Sequence, residues 1–145
     1  MIGGGSGWFT VRAPKRVGDT GTVYAIDHQS GGHALHESRI RKENLRNVKP
    51  ILGRPDNPLL PGTVDAVFLL KTYHEVAQPI VLLRHLRASL SPGPRWERLI
   101  VMGIARTVAL PGHRDSGGNA VGSQVLEQND FVKDGMDYFL VFGAK

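Results

Sequence analysis

The chain has 145 residues, no cysteine and a formal net charge of +5, with 41% hydrophobic and 21% charged residues. That length suits one domain with a real core and is short for two, while the lack of cysteine excludes disulfides, thiolate metal sites and cysteine nucleophiles. No apolar run reaches the roughly 18 residues of a membrane span, and no basic, apolar, small-residue leader is read at the start, so a cytoplasmic setting is the expectation.

The positive excess leaves a nucleic-acid partner or an anionic substrate open. The basic residues are spread out, however, and their one cluster (Arg39, Arg41, Lys42, Arg46 and Lys49) reads as a solvated face rather than a nucleic-acid track.

In chain order, "IGGGSGWF" (2–9) is a glycine-rich turn, and the stretch after it places Phe9, Ala13 and Val17 on one helical stripe. Pro14 predicts a kink or a short helix there, and Gly18 a helix stop. "TGTVYAID" (20–27) reads as a strand ending in an acid. "HESRIRKENLRN" (36–47) has helical composition with only Ile40 and Leu45 as an apolar stripe. "VKPIL" (48–52) is a short strand, and 53–62 a loop with three prolines. "VDAVFLL" (64–70) is a nearly continuous apolar run, which predicts a strand buried on both faces. "QPIVLLRHLRASL" (78–90) is the clearest helix, with Pro79 in its first turn. "RLIVMGI" (98–104) is a strand, and 123–132 with 136–144 form a strand pair around Lys133-Asp134-Gly135. This alternation predicts one α/β domain over 1–145: a Rossmann-like, doubly wound, mostly parallel sheet closed by a C-terminal antiparallel strand pair.

In such sheets ligands bind beyond the carboxyl ends of the strands, often where a glycine-rich turn lets backbone approach them. Gly3, Gly5 and Gly7 give G-x-G-x-G. The dinucleotide pattern G-x-G-x-x-G fails in both registers, because Trp8, or else Phe9 or Thr10, stands where its last glycine belongs. A nicotinamide or flavin oxidoreductase is therefore disfavoured. Asp27, ending the next strand, can accept hydrogen bonds from a ribose diol; a tight turn with a capping aspartate is the alternative. His33, His36, His85 and His113 show no ligand spacing with carboxylates, so no metal site is expected.

Taken together and in order, these stretches resemble the class I S-adenosylmethionine-dependent methyltransferases. "IGGGSGWF" is similar to that family's glycine-rich motif, "VYAID" to its ribose-binding motif, "GRPDNPLLPGTVDAVFLLKTYHEV" to its adenine-side loop and fourth strand, and "LRASLSPG" to the turn before its fifth. The resemblance implies a seven-stranded sheet of order 3-2-1-4-5-7-6 with the last strand antiparallel, and S-adenosylmethionine as cofactor. By position it places Gly3, Gly5 and Gly7 along the methionine and ribose side, Asp27 on the ribose hydroxyls and His28 beside the adenine. Asp56 and Asn57 then face the adenine amino group, and the backbone at Leu70 and Lys71 the methionyl part. His74, with Tyr73 beside it, is the first candidate for a base, by titration range; walling the pocket or capping the next helix is the other role open to the pair.

The chain departs from the family in three places. An apolar strand ending in an acid should precede the glycines, yet Met1 stands at the acid's place. A truncated first strand is the expectation, with the gap otherwise filled by rearrangement or by a second chain, so that a homodimer is possible. The glycine-rich stretch 28–35 fits a helix poorly, and 94–123 lacks the period of the helix expected near 110–122; compensated reading-frame slips are one explanation of both. The functional expectation is methyl transfer to a small-molecule acceptor. The alternatives are an RNA methyltransferase of the same fold and a non-catalytic or truncated domain.

Overall fold

A computed structural model of the chain describes residues 2, 7, 9–70, 72, 75–91, 98–104, 123–129 and 137–144, the last three segments and Leu70 as backbone. The first helix, α1 (Ala13–Val17), is only five residues long, with Pro14 in its first turn, where a missing N–H costs least. Its last carbonyls do not stay unpaired, because the Asn47 side chain donates to the carbonyls of Pro14 and Gly18 at 3.2 and 3.0 Å. Strand β1 (Val23–Asp27) follows, then α2 (Ser30–Lys42) and β2 (Val48–Leu52), which pairs with β1 in parallel from Val23↔Val48 to Asp27↔Leu52. Val23, Ala25 and Val48 form a small core there, with Phe9, Ala13, Ile40 and Leu45 packed against it.

Beyond the proline loop come β3 (Ala66–Leu70), α3 (Pro79–Ala88) and β4 (Arg98–Ile104), and then β5 (Ser123–Asn129) and β6 (Asp137–Ala144). They form a sheet of order β3-β4-β6-β5, parallel between β3 and β4 and antiparallel at β6. A second core binds α3 to this sheet: Val67 and Leu69 pack with Leu82, Leu83, Leu86 and Leu90. The mostly parallel α/β architecture and the antiparallel closing pair are as expected.

Three local readings change. Strand 64–70 is not buried on both faces: Val67 and Leu69 are buried while Ala66 is exposed and Phe68 half-buried. Only one face carries α3, and the other holds Phe68 against the Phe9 ring at 5.5 Å. The stretch 28–35 does enter a helix, which begins at Ser30. That helix ends at Lys42 rather than 47, because Asn44 turns to a positive φ of 49°. The helix expected near 110–122 and the turn at 133–135 lie outside the described residues.

Among the described residues the two sheets meet at one. Ile2 makes parallel bridges to Ile26 of β1 and to Leu69 of β3, and its N–H donates to the Phe68 carbonyl at 2.8 Å. Over the rest of their length β1 and β3 face each other across a cavity of about 350 Å³, lined by Phe9, Val23, Tyr24, Val67 and Phe68 among others. Two strands sharing a common neighbour stand about 10 Å apart, and Ile2 is such a neighbour to β1 and β3 at one end of this cavity.

A chain extended ahead of Met1 by about four β-branched residues, enough to reach ordinary strand length, is expected to gain in stability. Its thermal midpoint should rise by about 3 °C, the equivalent of ~1 kcal/mol in a domain of this size. Scanning fluorimetry against an extension of equal length in Gly, Ser and Asp checks this, since equal gains from both would mean that the cavity takes no strand.

Candidate functional site at the carboxyl ends of the parallel strands

Parallel strands that enter the sheet together end together, and their carboxyl ends form one rim. On that rim β1 ends at Asp27 and β3 at Leu70. A cavity of about 500 Å³ opens there. Asp27, His28, Gln29, Gly32 and Leu35 line it from the turn into α2; Arg54, Pro55 and Pro58 from the proline loop; and Thr72, Glu75, Val76 and Ala77 from the segment after β3. Ile2, Ile26 and Leu82 lie at its base. The volume is that of a small-molecule site, largely apolar with a few polar groups to orient what binds.

Asp27 is the best-positioned of those groups. Its Oδ1 accepts the Gln29 N–H at 2.9 Å, at the N-cap of α2, a helix whose first turn carries no other acid. The positive end of the helix therefore favours the carboxylate. The capping role and a ligand role are compatible, because a carboxylate offers about four lone-pair sites. Gly32 lets the carboxylate lie against the helix: a Cβ there would stand 2.2 Å from Oδ2. Glycine at this position is a requirement of close approach, and it explains why a poor helix former sits in the first turn.

Behind Asp27 lies a buried polar pair. The His36 ring is fully buried, and its Nδ1 is 3.2 Å from the Thr10 hydroxyl, itself fully buried. Its Nε2 makes no hydrogen bond and stands 3.9 Å from Asp27 Oδ2. Burial is the largest effect on this imidazole and holds its pKa below the ordinary 6.5; Asp27 acts the other way, while His33 and the amino terminus add to the lowering. The ring is accordingly neutral near pH 7, and the contact to Asp27 is not an ion pair. A second buried atom without a partner, the Thr72 hydroxyl oxygen, belongs to a residue that lines the cavity. Buried polar groups are almost always paired, and among the described residues this hydroxyl and the His36 Nε2 are the exceptions.

Of the residues singled out by sequence, Asp27 and His28 are brought together at the cavity. Asp56 and Asn57 sit on the loop that lines it but are not themselves among the lining residues, and Asn57 Oδ1 accepts the Leu59 N–H at 2.9 Å. Gly7 has a left-handed φ of 74°, and the Arg39 side chain lies within van der Waals reach of where its Cβ would be. Leu70 ends β3 at the cavity mouth. Gly3, Gly5, Lys71, Tyr73 and His74 lie outside the described residues. The sequence reading missed Gly32, Arg54, Thr72 and the Thr10–His36 pair. Thr72 was within reach, since it lies between residues already singled out; His36 was not, because no periodicity marks a buried polar ring. The basic cluster on α2 is a solvated face, as read: Arg39 and Arg41 pair with Glu43 and Glu37 at 3.8 and 4.0 Å on the exposed helix surface.

Two outcomes follow from this geometry. Gly31 has open space around its Cβ position, so Gly31→Ala should stabilise by about 0.4–1 kcal/mol. Gly32→Ala must displace the Asp27 carboxylate and should come out less stable than Gly31→Ala by about 1 kcal/mol or more in urea titrations. For His36 the unfolded state binds more protons than the folded one below pH 6.5. Urea midpoints should therefore be level above that pH and decline as pH falls through it, and His36→Gln should lessen the decline.

Residues 1–95 match the family described as the methyltransferase domain. No curated protein matches the chain in sequence. Among solved structures, it is similar to an S-adenosylmethionine-dependent methyltransferase from Aquifex aeolicus, at 23% identity and a TM-score of 0.81, over 97% of this chain and 78% of that one. It is also similar to the [4+2]-cyclase SpnF, at 17% and 0.71, over 89% of this chain and 51% of that one. A third is the O-methyltransferase NcsB1 of neocarzinostatin biosynthesis, solved with S-adenosylmethionine and 2-hydroxy-5-methyl naphthoic acid, at 13% and 0.78, over 99% of this chain and 47% of that one. The chain thus spans about half the length of the last two.

Proposed function

The chain belongs to the methyltransferase domain family, and from that premise we propose that it binds S-adenosylmethionine in the cavity at the carboxyl ends of β1 and β3 and transfers the methyl group to a small-molecule acceptor. The observation that carries this reading is the cavity itself: about 500 Å³, with the Asp27 carboxylate at one wall and the unpaired Thr72 hydroxyl at another. Its size and donor set fit a nucleoside carrying an amino-acid chain.

The cofactor, when bound, supplies a methyl group on a sulfonium that needs no further activation. What remains for the protein is to hold, to orient and to exclude water. Asp27 keeps lone pairs free for the ribose hydroxyls after capping α2. Leu35, Pro55 and Pro58 offer apolar surface to the adenine, with His28 beside it and Asp56 and Asn57 as candidates for its amino group. Gly3, Gly5 and Gly7, and the backbone at Leu70 and Lys71, are assigned to the methionyl side. His74, with Tyr73 next to it, follows Thr72 in the chain and is the candidate to take a proton from an oxygen or nitrogen acceptor.

Two observations favour a small acceptor over RNA. Arg39 and Arg41 of α2 pair with Glu43 and Glu37 and are not among the residues lining the cavity, and NcsB1, of the same fold, was solved with an aromatic hydroxy acid. Calorimetric titration with S-adenosylhomocysteine should show saturable binding by the parent, weakened about tenfold or more in Asp27→Ala, the size of a lost charged hydrogen bond. Transfer of a labelled methyl group from S-adenosylmethionine to a panel of aromatic hydroxy acids should then succeed, and be lost in His74→Ala if a proton must leave. Absence of binding by a folded chain overturns the reading; binding without transfer to any acceptor points to a non-catalytic domain.

A further inference from the structure

His36 takes no part in the roles assigned so far, yet it is fully buried and so is the hydroxyl it touches, Thr10. An apolar residue would fill that space at no cost in lost hydration, so the pair needs a reason. A neutral imidazole has one N–H and one lone-pair nitrogen. Thr10 can serve Nδ1 as donor, which puts the ring's hydrogen on Nε2. The nearest acceptor in that direction is Asp27 Oδ2, at 3.9 Å. That gap is too long for a hydrogen bond, and closing it takes less than an ångström of movement by the carboxylate or the ring.

The carboxylate is seated on three sides: Gln29 N–H on Oδ1, the bare backbone of Gly32 beneath Oδ2, and the His36 ring behind Oδ2. Its side chain is only 13% exposed. Of about four lone-pair sites, Gln29 takes one, and a closed contact to His36 takes a second. The two that remain match the two hydroxyls of a ribose.

We propose that His36 is a positioning residue for nucleoside recognition: backed by the Thr10 hydroxyl, its Nε2–H holds one oxygen of Asp27 so that the free lone pairs of the carboxylate face the ribose diol. This rests on the assignment of Asp27 to the ribose of S-adenosylmethionine. A mere core histidine would support the fold alike whatever ligand is bound. A positioning histidine acts only through Asp27 and only on ligands with ribose hydroxyls.

The test pairs two measurements. Long-range ¹H–¹⁵N spectra of the free protein should show His36 as the Nε2–H tautomer; the Nδ1–H tautomer overturns the proposal without reference to any ligand. Calorimetry then compares the parent, His36→Gln, His36→Leu, Asp27→Ala and the Asp27→Ala/His36→Leu pair, with S-adenosylhomocysteine and with its 2′,3′-dideoxyribose analogue. His36→Leu should weaken S-adenosylhomocysteine about tenfold, as for one charge-assisted hydrogen bond, while His36→Gln, which keeps an N–H donor, should stay within about threefold. The Leu substitution should cost nothing further beside Asp27→Ala, and the dideoxy analogue should bind the parent and His36→Leu alike. A loss that persists in either of those settings overturns the inference, as does parent-like binding by His36→Leu when Asp27→Ala is weakened, which leaves the cofactor assignment standing. If the parent does not bind S-adenosylhomocysteine at all, both fall. Should His36→Leu not fold, the tautomer and the His36→Gln affinity decide between the same outcomes.

Discussion

The joining of the two sheets at Ile2 is the constraint on which the candidate site depends. The backbone of Ile2 is the one place among the described residues where the β1–β2 sheet and the β3-β4-β6-β5 sheet are joined by ladder bridges. The apolar packing divides in the same way, into a cluster under α1 and α2 and a larger one under α3. Burial does most to stabilise a domain of this kind, and here it stabilises each half separately. Among the described residues the relation between the halves rests on Ile2 and on the Phe9–Phe68 ring contact. The candidate site lies on that same seam, with Asp27 contributed by one half and Thr72 by the other.

A site on a seam must be built from groups that each do more than one task. Asp27 ends a strand, caps a helix and presents a carboxylate to the cavity. Gly32 weakens the first turn of α2, by about 1 kcal/mol relative to alanine in a helix interior, and in return allows the carboxylate to lie flush. His36 and Thr72 each leave a buried polar atom without a partner, which is destabilising in a free chain. Local rules broken at one place and kept elsewhere are what a binding site looks like in energetic terms. Here the broken rules collect around one cavity.

How far the sequence reveals this depends on the range of the interaction involved. Periodicity and turn chemistry are local, and they place β1, β2, β3, α3, β4 and the closing strand pair where the structure has them. Asp27 is legible because it ends an apolar run at a fixed interval from the glycines. The start of α2 is not, because its two glycines argue against a helix until the carboxylate of Asp27 is seen to lie against one of them, Gly32. The half-exposure of strand 64–70 is hidden for a similar reason: an apolar run reports what could be buried, and only the position of α3 says which face is. His36 is the extreme case. Thr10 and Asp27 lie 26 and 9 positions away, and nothing within a window of one helix turn indicates that the three converge.

The same geometry explains why the fold alone leaves the chemistry open. The SpnF cyclase and the NcsB1 O-methyltransferase share this architecture, so the sheet and its rim are compatible with more than one reaction. The cavity lining described here runs from Ile2 to Leu82, inside the 1–95 stretch that carries the family match. That stretch supplies the groups suited to a nucleoside: a carboxylate, apolar walls and a free hydroxyl. On the proposed function, an acceptor is chosen by contacts other than these. Cofactor binding, on the same reading, rests on this stretch, and a substitution at Asp27 or His36 acts on it without redefining the acceptor.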